Sequence, residues 1–247
     1  MLVIAHLSDI HVDGGDARAG RVRRVVTYLA GLPRPVDAVL VTGDITDHGA
    51  PEEYVQARDL LAALPGPVLT CPGNHDARST YRTVFLGGEP GDEPVNQVHE
   101  VGGAVFAMCD TTIPGRGDGY LDDATLAWLD DVVAAAPDGA PVFVCCHHPP
   151  VLLHSTYVDP IRQQGGDRLA ALLDRRPQVT ALLCGHAHTP AATTFAGRPL
   201  LVAPGVVSTL RLPWEREDPL DYDMPPALAF HVLGDDGRLT THYRLVT

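Results

Sequence analysis

Residues 2–11 read LVIAHLSDIH: six residues of strand character ending at Leu7, then a carboxylate at Asp9 and an imidazole at His11. The same order recurs four times. Ala38 to Val41 leads into Gly43-Asp44, and Pro67 to Leu69 into Gly73-Asn74-His75-Asp76. Val142 to Cys146 leads into His147-His148-Pro149-Pro150, and Thr180 to Cys184 into Gly185-His186-Ala187-His188. Each apolar run has the length and β-branched content of a buried strand, so each cluster belongs at a strand's carboxyl end. Five strand ends in one sheet would gather these distant residues at one rim.

The clusters offer carboxylates, one amide oxygen and neutral imidazoles, with no thiolate. That set suits Zn²⁺, Mn²⁺ or Fe²⁺, and two such ions sharing a bridging carboxylate form a hydrolytic centre. A single Asp-x-His or Gly-Asp carries little weight; the order and the shared placement carry the reading. In Gly185-His186-Ala187-His188, residues two apart on an extended segment point the same way, so both imidazoles can face one site.

Helical segments alternate with the strands at Ala19 to Ala30, Glu52 to Leu64, Asp123 to Ala136 and Gly166 to Arg175. Leu126, Leu129, Val132 and Val133 recur at helical spacing as core, and Pro137-Asp138-Gly139 stops that helix. After His188 the pattern changes to hairpins, Ala191 to Ala196 with Leu200 to Ala203, and Ala227 to Leu233 with Leu239 to Leu245. The chain therefore reads as α/β in one domain, residues 1–247, with an acidic, Pro-rich insertion at about 210–226 that could be a lid or an oligomerisation element. With 247 residues and 45% hydrophobic content it can bury a substantial core.

The net charge of −13 argues against polymeric nucleic acid, because proteins that track phosphates need a basic surface. Five scattered cysteines, two of them adjacent, read as buried thiols rather than a disulfide framework. No basic leader precedes the first strand and no apolar run reaches the ~20 residues of a membrane span, so the expected location is cytoplasmic. No Gly-x-x-x-x-Gly-Lys-(Ser/Thr) loop is present, and neither Ser8 nor Ser155 belongs to a recognisable triad.

In this order, the five clusters resemble the calcineurin-like metallophosphoesterases, whose pattern is Asp-x-His, Gly-Asp, Gly-Asn-His-(Asp/Glu), His and Gly-His-x-His. The likeness spans Asp9 to His188, and every ligand position is filled. Gly43-Asp44-Ile45-Thr46-Asp47-His48-Gly49, the His-His-Pro-Pro element and Asp159-Pro160-Ile161 are similar to the small bacterial class III cyclic-nucleotide phosphodiesterases and glycerophosphodiesterases. The resemblance implies a four-layer α/β/β/α sandwich, two mixed sheets flanked by helices, the metallo-dependent phosphatase fold. It implies two divalent ions (Mn, Fe, Zn or Co), one held by Asp9, His11, Asp44 and His188, the other by Asp44, Asn74, His147 and His186. Asp44 would bridge, since two cations ~3.5–4 Å apart need shared negative charge.

The family's His-x-Pro selects His147 as ligand and leaves His148 in the pocket or behind the ligands, although composition alone does not separate the two. His75 resembles the outer histidine that contacts the phosphoryl group or leaving oxygen, and Asp76 would orient a neighbour. Substrate contacts are sought in His148 and Arg78, with Arg82, His154, Asp159, Arg162 and Trp214 as further candidates; an indole at Trp214 could stack on a nucleobase. The implied activity is hydrolysis of small phosphodiesters, 3′,5′-cyclic nucleotides or glycerophosphodiesters, by metal-bridged hydroxide. Phosphomonoesterase or nucleotide pyrophosphatase activity on the same scaffold is the alternative, and a non-catalytic partner-binding relative the third reading. The family contains dimers and larger assemblies, so a homo-oligomer is admitted.

Overall fold

Strand periodicity of two sends alternate residues to opposite faces, and here both faces find a core. The structure is a computed structural model describing residues 1–247. The chain runs β1 (Leu2–Leu7), α1 (Asp16–Ala30), β2 (Ala38–Thr42), α2 (Pro51–Leu61), β3 (Val68–Cys71) and α3 (Arg78–Thr80), the last continued by a π-helical turn, Tyr81–Phe85. Then follow β4 (Gln97–Val101), β5 (Ala104–Cys109), β6 (Gly119–Tyr120), α4 (Asp123–Ala135), β7 (Val142–Cys146), β8 (Gln163–Gln164), α5 (Gly166–Arg175) and β9 (Val179–Cys184). The chain ends with β10 (Ala191–Phe195), β11 (Arg198–Val202), β12 (Thr209–Leu210), β13 (Leu220–Asp221), β14 (Ala227–Leu233) and β15 (Leu239–Leu245).

Strand signals alone point to one sheet for the five cluster-bearing strands and the resemblance implies two; the structure divides them between two. The first sheet has the order β15-β14-β1-β2-β3, the second β10-β11-β9-β7-β5-β4. Strands β1, β2 and β3 are mutually parallel, as are β5, β7, β9 and β11, and both hairpins after His188 are antiparallel. Division costs nothing at the rim, because the two sheets stack and the carboxyl ends of β1, β2, β3, β7 and β9 meet there.

Leu2, Ile4, Leu40, Phe106, Met108, Phe143, Cys145 and Leu183 fill the space between the sheets, where Phe106 and Phe143 stack at 5.1 Å. The outer face of the first sheet, Ala5, Leu7, Val39 and Val41, packs on Val22, Val25 and Leu29 of α1 and Tyr54, Ala57 and Leu61 of α2. The outer face of the second, Val105, Ala107, Val142, Val144 and Leu182, packs on Leu129 and Val133 of α4 and Leu169, Leu172 and Leu173 of α5. This is the four-layer α/β/β/α arrangement. Each fully buried Leu or Ile contributes roughly 1.5–3 kcal/mol, so three apolar layers hold the rim rigidly. All five cysteines are buried and free. No helix is long and apolar enough to cross a membrane.

The insertion forms a strap, the two-stranded ribbon β12–β13. It is tied to α1 by Arg21, which donates from Nε to Val206 O (3.0 Å), from Nη1 to Tyr222 O (3.0 Å) and from Nη2 to Met224 O (2.6 Å).

Candidate metal centre

Five of the seven non-glycine residues with positive φ are Asp9 (55°), His11 (36°), Asp44 (48°), His186 (69°) and His188 (50°). Left-handed backbone at such residues costs about 1–3 kcal/mol each and persists where surrounding structure enforces it. The enforcement is visible in the strand-end turns. Asp9 N donates to Gly43 O (3.2 Å), His11 N to Asp44 O (2.9 Å), Gly185 N to His147 O (2.9 Å) and His186 N to Asp9 Oδ2 (3.1 Å). Two glycines make this crowding possible. A Cβ on Gly43, at φ +85°, would lie 2.4 Å from His147 Nδ1, and one on Gly185 would lie 1.8 Å from Ser8 Oγ.

The side chains form two sets of converging atoms. His11 Nε2 lies 3.2 Å from His188 Nε2, and Asp9 Oδ1 lies 3.3 Å from His188 Nε2. His147 Nε2 lies 3.2 Å from Asn74 Oδ1 and 3.1 Å from His186 Nδ1. Asp44 Oδ2 stands between the sets, 3.4 Å from His11 Nε2 and 3.4 Å from His147 Nε2, while its Oδ1 accepts from His75 N (2.9 Å).

Three of the imidazoles are anchored through Nδ1: His11 donates to Asp47 Oδ1 (3.0 Å), His147 to Thr42 O (2.7 Å) and His188 to Ser208 Oγ (2.7 Å). Each anchor turns Nε2 inward, where the neutral imidazole presents a lone pair. Lone pairs of nitrogen and oxygen at these distances repel unless a cation lies among them, and Asp9 Oδ1 is a buried carboxylate oxygen with no hydrogen-bond donor. The residues therefore fit two divalent ions.

Charge follows the same logic. Burial disfavours the ionised form of Asp44, but His147 and His11 beside it hold its carboxyl well below the usual range. Burial opposes the His147 cation; the Asp44 carboxylate outweighs it and pushes His147 up to about 10. Burial holds His186 and His188 below the ordinary imidazole value.

His148 lies with His147 and His186 in a cluster of buried imidazoles. Its two nitrogens are already committed, Nδ1 to Thr111 Oγ1 (2.8 Å) and Nε2 to Gly117 O (3.2 Å), while Asn74 Oδ1 lies beside His147 Nε2. His148, expected to contact substrate, is fully buried and does not line the cleft.

The Arg78 guanidinium pairs with Asp110 Oδ2 (2.9 Å) and donates to Thr112 Oγ1, Thr112 O and Asp92 O. Arg82 donates to Glu93 O and Pro94 O, and Asp159 accepts from Leu153 N. Trp214 is 71% exposed at the tip of the strap.

His75 lines the open side of the site, its side chain 41% exposed, with Nδ1 donating to Asp47 O (2.8 Å). Asp76 accepts from Ile45 N, Thr46 N, Thr46 Oγ1, Tyr54 OH and Gly73 N, tying the third cluster to the second.

Sequence reasoning missed Asp47, which holds both His11 and His75, and Ser208, which anchors His188. His6 and His231 belong to none of the motifs, yet they reach the site through hydrogen bonds. His231 Nε2 lies 2.9 Å from His6 Nδ1, and His6 Nε2 lies 2.8 Å from the hydroxyl of Thr42, the residue whose carbonyl holds His147.

The site opens into a cleft of about 150 Å³ lined by His11, Asp44, Asn74, His75, His186 and His188 on its floor and by Tyr157, Ile161, Val207, Leu210, Leu220 and Tyr222 above. Oxygen and imidazole donors converging below a solvent-accessible cleft define a metal-dependent hydrolase.

The chain belongs to the calcineurin-like phosphoesterase family, which matches residues 2–190. It is 35% identical over 244 residues to glycerophosphodiester phosphodiesterase GpdQ of Enterobacter lignolyticus, covering 93% of this chain and 86% of that protein. It is 31% identical over 247 residues to 3′,5′-cyclic adenosine monophosphate phosphodiesterase CpdA of Pseudomonas aeruginosa, covering 97% and 88%. The fold is shared with a dimetal phosphatase from Danio rerio, at a TM-score of 0.69, 16% identity and coverage of 100% and 99%.

Proposed function

We propose that this chain is a dinuclear-metal-dependent phosphodiesterase that hydrolyses small diesters to a phosphomonoester and an alcohol. The observation that carries this reading is the charge of the cleft above the metal floor. Its one Arg or Lys is Arg18, whose guanidinium is already taken by Asp13 (3.3 Å), Asp47 (2.5 Å) and His11 O (3.2 Å). A dianionic monoester or a pyrophosphate asks for cationic contacts beyond the metals; a monoanionic diester does not. The relatives named for glycerophosphodiesters and for cyclic nucleotides support the same class.

Asp9, His11 and His188 would hold one ion and Asn74, His147 and His186 the other, with Asp44 shared. When bound, two divalent ions supply a nucleophile at neutral pH by acidifying water and neutralise the phosphoryl oxygens. Mn²⁺, Fe²⁺, Co²⁺ and Zn²⁺ all suit the donor set. The chain's own residues do the rest. His75, with Nδ1–H fixed on Asp47 O, keeps Nε2 for the cleft, and its imidazolium form gives the Nε2 proton to the departing alkoxide as the phosphorus–oxygen bond breaks and returns to neutral imidazole. Asp47 orients both His75 and His11, and the phosphate is held with its ester groups towards the apolar upper walls.

The test is a panel of defined esters. Chelated protein reconstituted with Mn²⁺ should hydrolyse 3′,5′-cyclic AMP, glycerophosphoethanolamine or bis(4-nitrophenyl) phosphate with higher kcat/KM than 4-nitrophenyl phosphate. Faster turnover of the monoester overturns the reading.

A further inference from the structure

Five of the eleven large exposed hydrophobic residues lie on the two loops around the mouth: Leu152 and Tyr157 after β7, and Trp214, Tyr222 and Met224 on the strap. Two of them line the cleft itself. Tyr157 and Tyr222, 51% and 54% exposed, stand with Ile161, Leu210 and Leu220 above the floor.

Most polar side chains of the walls are already paired: Arg18 as described, Asp47 with His11 and Arg18, and Ser208 with His188. Beyond the metals, His75 Nε2 and the hydroxyls of Tyr157 and Tyr222, the cleft presents rings and aliphatic carbon. A polyol head group would find few partners there, whereas a flat aromatic group would gain stacking on the rings.

The strap is also fastened where stacking needs it. Arg21 holds the Tyr222 carbonyl from α1, and Arg211 bonds Leu220 O (3.2 Å) and Asp221 Oδ2 (2.6 Å). The backbone carrying the ring is thus positioned before substrate arrives, which lowers the ordering cost of binding.

We infer that Tyr157 and Tyr222 form an aromatic jaw that selects diesters whose alcohol carries a flat aromatic ring over diesters of polyols. The inference rests on the phosphodiesterase reading and adds the substrate class. Two sources share this chemistry, the base of a nucleoside cyclic phosphate and a simple aryl ester, and the experiment separates them.

Steady-state kinetics are measured on the Mn²⁺-loaded full chain, as wild type, Tyr157→Ala, Tyr222→Ala and Tyr222→Phe, with 3′,5′-cyclic AMP, bis(4-nitrophenyl) phosphate and glycerophosphoethanolamine. Circular dichroism and metal content confirm that each variant is folded and loaded. The jaw predicts that wild type prefers an aromatic diester to glycerophosphoethanolamine. Each Ala variant should lower that preference about tenfold, mainly through KM, and Tyr222→Phe should restore it. A loss on cyclic AMP identifies the nucleobase as the ring; a loss confined to the nitrophenyl diester identifies a simple aryl group. Hydrolysis of all three with the preference unchanged in both Ala variants overturns the jaw and leaves the phosphodiesterase reading standing. No turnover of any diester by the metal-loaded wild type overturns both.

Discussion

The floor and the mouth of the cleft are built on opposite plans. On the floor, the ligating side chains are mostly buried, most sit on strained backbone, and three imidazoles are anchored by a second residue. At the mouth, Tyr157, Trp214 and Tyr222 stand in solvent on loops fastened mainly through backbone carbonyls. Rigid placement serves chemistry, which fails on a displacement of about an ångström. An exposed wall of rings would serve selection among alcohols, which the floor meets only through His75. Substitutions on the floor should therefore abolish turnover broadly, and those at the mouth should redistribute it.

The largest effect is expected at the shared carboxylate. Asp44→Asn should lower kcat/KM on every diester by about a thousandfold or more, with circular dichroism unchanged and metal content reduced; near-normal metal content and activity would break the contrast.

Next comes the histidine pair. His147→Ala should lose metal, whereas His148→Ala should retain it and cost about 1–3 kcal/mol of stability for the lost buried hydrogen bonds. Elemental analysis and thermal unfolding decide, and metal loss confined to His148→Ala would reverse the ligand assignment.

His75→Ala, at the boundary of the two regions, should cost about a hundredfold for alkyl leaving groups and much less for nitrophenolate, whose low basicity needs little proton help. Equal losses would remove the acid role.

The smallest effect is on pH. In the bare protein His147 is lifted to about 10, so it is protonated at neutral pH and must give up that proton to bind a metal. Metal affinity should then rise with pH from neutrality towards pH 10. Calorimetric titrations in buffers of different ionisation enthalpy should show net proton release at pH 7; none would contradict the assignment.

The same contrast governs what the sequence discloses. A candidate ligand at the end of a parallel strand is announced by its apolar run, so Asp9, Asp44 and His188 stand out from local pattern, as do β1, β7 and α5, whereas only the family's His-x-Pro selects His147 over His148. The division into two sheets was not readable from strand signals, because pairing is a long-range choice. Strand β4 escaped because an edge strand reading QVHEV buries too little to show a pattern. Anchors such as Asp47 and Ser208 act through tertiary proximity, and adjacency to a motif does not disclose that His148 is turned towards Thr111 and Gly117 or Arg78 towards Asp110. The mouth was least legible. Trp214, His154, Asp159 and Arg162 are the candidates the sequence offers there, while the side chains that line the cleft include Tyr157 and Tyr222.

The central claim is that seven side chains at one rim form a centre for two ions bridged by Asp44. Anomalous diffraction from Mn²⁺-replete crystals tests it most directly. The account predicts two peaks ~3.5–4 Å apart, one among Asp9, His11 and His188, the other among Asn74, His147 and His186, with Asp44 contacting both. An empty rim, or a single ion that does not touch Asp44, would contradict it.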